Sequence, residues 1–194
     1  MATRITIIDG HPDPDGARFC HALANAYAEG AAEAGHSVRR LTLAQIDVPI
    51  LRSKQDWETG APSPSIRECQ EAIGWAEHLI IIYPLWLGSM PALLKAFLEQ
   101  TFRPGFAIEV ERNKLSPGLL KHKSARIVLS MGMPALAYRW FFLAHSLKSL
   151  ERNILRFSGI GPIRETLIGS VEELGPAGRE KWLATVRALG RDGK

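Results

Sequence analysis

The sequence predicts an α/β fold, a doubly wound parallel sheet with helices on both faces. Short apolar segments alternate along the chain with longer amphipathic ones, which is the pattern of strands joined by crossover helices. The run from His78 to Tyr83 is apolar enough to be buried on both faces. Ordinary shares of hydrophobic (46%) and charged (23%) residues favour a globular chain.

Five apolar segments are predicted as strands because they are short and rich in isoleucine, leucine or valine. They cover residues 4–9, 37–43, 79–83, 125–131 and 163–171. Five strands in this rhythm fit the flavodoxin-like order 2-1-3-4-5, in three layers α/β/α.

Amphipathic segments between the strands are predicted as helices, over residues 18–34, 65–76, 91–101, 138–153 and 176–189. The first is rich in alanine and ends before Gly35. Pro91 suits the first turn of the third, where a missing N–H costs nothing. The alternation of Phe106, Ile108 and Val110 predicts a short strand or hairpin over the site. Residues 1–194 are predicted as one domain, with 190–194 as a loose tail.

Composition disfavours several classes of protein. No run approaches the roughly 18 to 20 apolar residues of a membrane span, and a signal-peptide pattern is lacking, so we expect a cytoplasmic protein without membrane insertion. Cys20 and Cys69 have no partners at metal spacing, so no metal site is predicted. Residues 101–194 carry 16 Lys/Arg against 8 Asp/Glu. That charge suits an anionic dinucleotide or RNA, but no RNA motif is present and no nucleic-acid partner is predicted.

Three loops are expected to meet at one edge of the sheet, because the carboxyl ends of parallel strands lie together. The first, residues 10–19, precedes a helix whose amides favour a phosphate, although it is neither GxGxxG nor a P-loop. The second, residues 84–91, offers Trp86 and backbone donors to a flat ring. The third, residues 130–138, offers amides but none at Pro134.

The second loop, Tyr83-Pro84-Leu85-Trp86, continues into Pro91-Ala92, Leu94-Lys95 and Phe102. These residues resemble a loop of the flavodoxin-like NAD(P)H:quinone oxidoreductases, a family that includes modulators of drug activity and potassium-efflux ancillary flavoproteins. His11-Pro12 resembles the opening loop of that family. The resemblance extends from about Ile5 to Ile168, most of the chain.

The resemblance implies non-covalently bound FMN or FAD, with NADH or NADPH as electron donor. It implies a homodimer that passes two electrons by ping-pong kinetics to a flat acceptor, either a quinone, a nitroaromatic or an azo compound. The cofactor-binding residues that it implies are His11, Arg18, Phe19, Pro84, Leu85, Trp86, Leu87, Gly88, Met131, Gly132, Met133 and Tyr138.

Tyr138 and His145 are the catalytic residues that the resemblance implies, Tyr138 as a donor to flavin O2 and His145 as a group that stabilises charge. Seven residues along one helix are about two turns, which predicts both side chains on one face. The roof of the pocket is expected from residues 57–64, from Phe106 and, across a dimer interface, from residues 140–142.

Alternatives stay open at this point. Arg18 stands where the family has a phosphate-binding serine, which leaves FMN and FAD undecided. Tyr138 and His145 are also the kind of residues that simply pack. Besides a free-standing enzyme, the sequence is compatible with a regulatory or ancillary subunit of a transporter such as a potassium-efflux system, or with a one-electron carrier.

Overall fold

The structure is a computed structural model and describes residues 2–110 and 118–194. Its five parallel strands form one sheet in the order β2-β1-β3-β4-β5, which confirms the predicted topology. The strands are β1 (Arg4–Asp9), β2 (Ser37–Thr42), β3 (His78–Pro84), β4 (Ser124–Ser130) and β5 (Ile163–Ile168). Every residue of the central strand β3 is buried, as its apolar sequence predicts.

The helices in the described ranges cover both faces of this sheet. They are α1 (Phe19–Glu33), α2 (Lys54–Thr59), α3 (Pro64–Trp75), α4 (Ala92–Thr101), α5 (Ala135–Trp140), α6 (His145–Ser149) and α7 (Pro176–Arg191), and a π-helical segment (Leu150–Arg156) continues α6. Within these ranges no helix combines the length and apolar character needed to cross a bilayer.

Two hydrophobic cores lie on opposite faces of the sheet. The side chains of Ile5, Ile7 and Ile80 pack against α1 and α7 on one face. Those of Ile8 and Ile81 pack on the other face with α3, α4 and α6. The alternation along each strand therefore divides the sheet residues between the two helical layers.

Helices α1 and α7 cross closely because glycines stand where their backbones meet. A Cβ added to Gly30 would lie 1.9 Å from the carbonyl oxygen of Arg187, and one added to Gly190 would lie 2.1 Å from that of Tyr27. Only glycine allows this approach. Gly190 and Arg191, predicted as part of the tail, belong to α7.

Three segments differ from the sequence prediction. Residues 104–108 form a tight turn, in which the Ala107 N–H donates to the Arg103 carbonyl, so the described part of the predicted strand or hairpin, residues 106–110, is not a strand. The second half of a hairpin would lie outside the described residues. The single helix predicted over residues 138–153 is also wrong: α5 ends at Trp140, and Leu143 and Ala144 have left-handed backbones. The predicted fifth strand is three residues too long, because Ser170 has a positive φ.

Candidate functional site

The loops after β1, β3 and β4 meet at the carboxyl edge of the sheet, as predicted. The Leu85 N–H donates to the Ser130 carbonyl at 2.7 Å, which joins the second loop to the end of β4. The Cys20 thiol lies 3.3 Å from the Ser130 hydroxyl, which joins the start of α1 to the same point. Burial raises the pKa of Cys20 to about 12, so this thiol is a packing group and not a nucleophile.

An aromatic contact connects the first and second loops. The imidazole of His11 and the indole of Trp86 are edge-to-face, with centroids 5.7 Å apart. His11 is buried, whereas Trp86 is 47% exposed. Burial and the charge of His21 lower the pKa of His11, whose Nδ1 accepts from the Asp13 N–H at 3.1 Å. The rim thus offers an uncharged imidazole and an accessible indole to a flat ligand.

The Trp86 loop is a two-residue hairpin. Trp86 and Ser89 exchange both backbone hydrogen bonds at 2.9 Å. Leu87 and Gly88 have φ values of 47° and 75°, the left-handed pair of a type I′ turn. Leucine rarely adopts this backbone, and the Leu87 side chain is fully exposed. Strained backbone clusters at functional sites, so we expect the exposed Leu87 side chain to contact a ligand or another protein.

The third loop is held by the residues after β5. The Met131 N–H donates to the Ile168 carbonyl, the Val171 N–H to the Met131 carbonyl, and the Ser170 N–H to the Met133 carbonyl. None of these bonds uses the N–H of Gly132 or Met133. These two amides are therefore the donors that the loop can present to a ligand.

Arg18, predicted to bind phosphate, is paired within its own loop. Its guanidinium lies 2.7 Å from the Asp13 carboxylate and 3.4 Å from that of Asp15. The Asp15 N–H and, secondarily, Arg18 lower the pKa of Asp13. The guanidinium carbon of Arg179 lies over the ring of Phe19, 5.4 Å from the ring centroid. A phosphate at this end would thus compete with two carboxylates for Arg18, and Phe19 faces the start of α7.

Tyr138 and His145 do not share a helix face, so that prediction is wrong. Tyr138 is buried, and its hydroxyl lies 2.7 Å from that of Ser146 and accepts from the Leu147 N–H at 3.2 Å. His145 begins α6 with an exposed side chain. The left-handed residues between α5 and α6 turn the chain and separate them. Their catalytic roles stay a prediction.

Two cavities lie beside the Trp86 hairpin and share Lys95, Ser149 and Ile154. The smaller, about 500 Å³, is lined by the hairpin, the start of α4 and Ser146. The larger, about 690 Å³, extends along α4 to Trp57 and Ile108. The groove thus begins at the predicted flavin loop and reaches the predicted roof.

A buried charge cluster below the first loop was missed by the sequence analysis. The Asp9 carboxylate, fully buried at the end of β1, lies 2.6 Å from both His21 Nδ1 and an Arg40 nitrogen. Asp9 itself could have predicted a charge cluster, because a carboxylate at the end of a buried strand needs cationic partners. Which cations supply the charge depends on the packing of α1 and β2.

The fold and this rim define a flavodoxin-like α/β protein with a ligand site at the carboxyl edge of the sheet. The chain belongs to the family described as having a flavodoxin-like fold, whose model matches residues 3–189. This match confirms the relationship predicted from the second loop.

Three known proteins illustrate the relationship. An uncharacterized NAD(P)H oxidoreductase of Haemophilus influenzae is 28% identical over 181 residues, covering 91% of this chain and 89% of that protein. The NAD(P)H:quinone oxidoreductase of Methanothermobacter marburgensis has a TM-score of 0.80 and 24% identity, over 99% of this chain and 97% of that one. An FMN-dependent NADH-azoreductase of Bacillus anthracis, solved with FMN, has a TM-score of 0.75 and 15% identity, over 97% and 98%.

Proposed function

We propose that this protein is a flavin-dependent NAD(P)H oxidoreductase that passes two electrons to a quinone or a similar flat acceptor. The observation that carries the proposal is the meeting of three loops at one rim. There the indole of Trp86 packs edge-to-face against His11, and the Leu85 N–H donates to the Ser130 carbonyl. Open α/β sheets bind flat cofactors at this edge. The Haemophilus influenzae relative is named an NAD(P)H oxidoreductase, which supports the same class of reaction.

The residues at the rim fit an isoalloxazine ring and a phosphate. Trp86 presents an accessible aromatic face, and the Gly132 and Met133 amides are available to ring oxygens. No side chain caps α1, so its first amides are open to an anion. The azoreductase of this fold was solved with FMN, so we take FMN as the first flavin to test, with FAD as the alternative.

When bound, the flavin supplies hydride acceptance and two-electron release. The hairpin and Trp86 orient the flat reactants over the rim, so that donor and acceptor alternate at one place. His145 is the accessible member of the predicted catalytic pair and would stabilise developing charge. Tyr138 acts through Ser146 and the Leu147 amide, holding the start of α6 beside the smaller cavity.

A homodimer completes the proposal. Leu136, Trp140, Phe141, Phe142 and Leu143 are all exposed in the segment after β4. Large apolar side chains that are exposed together in one segment are typical of a protein interface. A second copy packed there would shield the rim from water.

Absorbance spectroscopy of the purified protein, with mass analysis of the released cofactor, tests the proposal. We expect a flavin spectrum, either as purified or after addition of FMN or FAD. Anaerobic NADH or NADPH should bleach it, a quinone should restore it, and double-reciprocal plots should be parallel. A protein that binds no flavin, or whose bound flavin stays oxidised with both donors, would contradict it.

A further inference from the structure

The loop between β1 and α1 folds around one buried histidine, His21. Its Nδ1 lies 2.6 Å from a carboxylate oxygen of Asp9, and its Nε2 lies 2.8 Å from the carbonyl oxygen of Asp13. A carbonyl oxygen only accepts hydrogen bonds, and so does an ionised carboxylate. A neutral imidazole carries a single N–H and would satisfy one of these bonds but not both.

The Asp9 carboxyl is not the proton donor in this pair. The same oxygen that faces His21 also accepts from the guanidinium of Arg40 at 2.6 Å, and a guanidinium holds a carboxylate in its ionised form. We propose that His21 is a positioning residue that carries a proton on both ring nitrogens. The imidazolium fixes the Asp13 carbonyl, and with it the shape of the loop that receives the cofactor's phosphate.

The surrounding charges agree with an imidazolium at this place. The charged or titratable groups around it are Asp9 from β1, Arg40 from β2, and His11, Asp13, Asp15 and Arg18 from the loop. Asp13 and Asp15 are engaged by Arg18, so Asp9 alone faces the two cations His21 and Arg40. With His21 as an imidazolium the three cations balance the three carboxylates, whereas a neutral His21 would leave a net negative charge beneath a loop that is to receive a phosphate group.

Two other histidines provide an internal contrast. The Nδ1 of His11 accepts from the Asp13 N–H, and the Nδ1 of His36 accepts from the Thr3 N–H at 3.0 Å. An accepting ring nitrogen carries no proton, so both bonds require a neutral imidazole. One chain therefore holds histidines of both kinds, distinguishable in a single experiment.

Nitrogen NMR of the flavin-free protein labelled with ¹⁵N-histidine tests the protonation state. In a sample at about pH 8 we expect one histidine with both ring nitrogens protonated. His11 and His36 should be neutral, and His21→Gln should remove the imidazolium signal. If every histidine is neutral at that pH, the proposal is wrong. This measurement does not depend on the proposed function.

The positioning role rests on the proposed function and is tested by comparing FMN with riboflavin, which lacks the phosphate. We expect His21→Gln to weaken FMN binding about tenfold and to leave riboflavin binding unchanged, because the phosphate end of the site is altered. His36→Gln is the control and should change neither. Equal losses for both flavins, or no loss of FMN affinity, would overturn the role. If the unaltered protein binds neither flavin, the proposed function fails, whereas the nitrogen spectrum still decides the state of His21.

Discussion

Trp86 meets His11 edge-on, with the two ring planes inclined at 81°. The two residues follow different strands, so this contact fixes one loop against the other. His11 also receives the Asp13 N–H and lies 5.3 Å from the His21 ring, which ties the pair to the charged cluster below. The ring end of the proposed site therefore lies directly beside its phosphate end.

Replacing Trp86 by leucine should weaken flavin binding with little effect on folding. The indole is half-exposed, so its loss removes ring contacts worth about 1 kcal/mol, or about fivefold in affinity. Quenching of flavin fluorescence measures the change. Trp75→Leu is the control, because Trp75 lies at the end of α3, beside Arg39, remote from the three loops. Equal loss of affinity in both variants would contradict a ring contact at Trp86.

Replacing each of two buried tyrosines by phenylalanine should affect the free energy of unfolding differently. The Tyr83 hydroxyl has no hydrogen-bond partner within the described chain, and burial raises the pKa of this group. Tyr83→Phe should be neutral or stabilising by up to about 1 kcal/mol. Tyr138→Phe leaves Ser146 and the Leu147 amide without their partner and should cost about 1–2 kcal/mol. Urea unfolding compares the two, and a greater loss at Tyr83 would be inconsistent with these contacts.

The sheet was predictable because its signal is local. Each strand is an apolar run and each crossover an amphipathic one, so the rhythm predicts a parallel sheet between two helical layers, and the order 2-1-3-4-5 is one that fits it. The break between α5 and α6 was not predictable from the sequence. Leu143 and Ala144 adopt left-handed backbones there, and neither residue is a glycine, the type that usually adopts this conformation. The bonds of His21 were equally hidden, because its partners come from a strand end and a folded loop. Local pattern therefore located the rim, and tertiary packing decided what each side chain does there.

Acidification should destabilise the protein through His78. Burial, followed by the charges of Arg126 and Arg164, lowers the pKa of His78 from 6.5 to about 4. In the unfolded chain His78 binds a proton below about pH 6.5, whereas in the folded chain it binds one only below about pH 4. The free energy of unfolding is therefore unaffected by His78 above about pH 6.5, and it falls by up to about 3 kcal/mol as the pH drops from there to about 4.

Urea unfolding at pH 7 and pH 5 measures this effect. His78→Asn keeps an amide near the Ser124 hydroxyl, which lies 2.8 Å from His78 Nδ1, and it does not titrate. The unaltered protein should lose about 2 kcal/mol more than the variant between these pH values. Parallel losses in the two proteins would show that His78 does not carry the acid sensitivity.

Gly30→Ala should separate α1 from α7. The added methyl would overlap the Arg187 carbonyl at 1.9 Å, and backbone cannot rotate away as a side chain can. We expect a loss of about 1–3 kcal/mol in the free energy of unfolding. Gly16→Ala is a suitable control, because no atom lies within 4 Å of its added Cβ. A loss at Gly16 as large as that at Gly30 would show that the overlap with the Arg187 carbonyl is not the cause.

Introducing a charge at Phe141 should separate the proposed dimer. Phe141 is 81% exposed and packs edge-on against Phe142, 5.0 Å away, so the pair presents an exposed apolar surface. Burying a glutamate there without a partner would weaken association at least tenfold, by about 1.4 kcal/mol or more. Sedimentation velocity over a range of concentrations measures the effect, with Ala184→Glu on the exposed face of α7 as a control of equal charge. The proposed interface is wrong if Phe141→Glu associates as tightly as the unaltered protein, and the dimer itself is wrong if the unaltered protein is monomeric throughout.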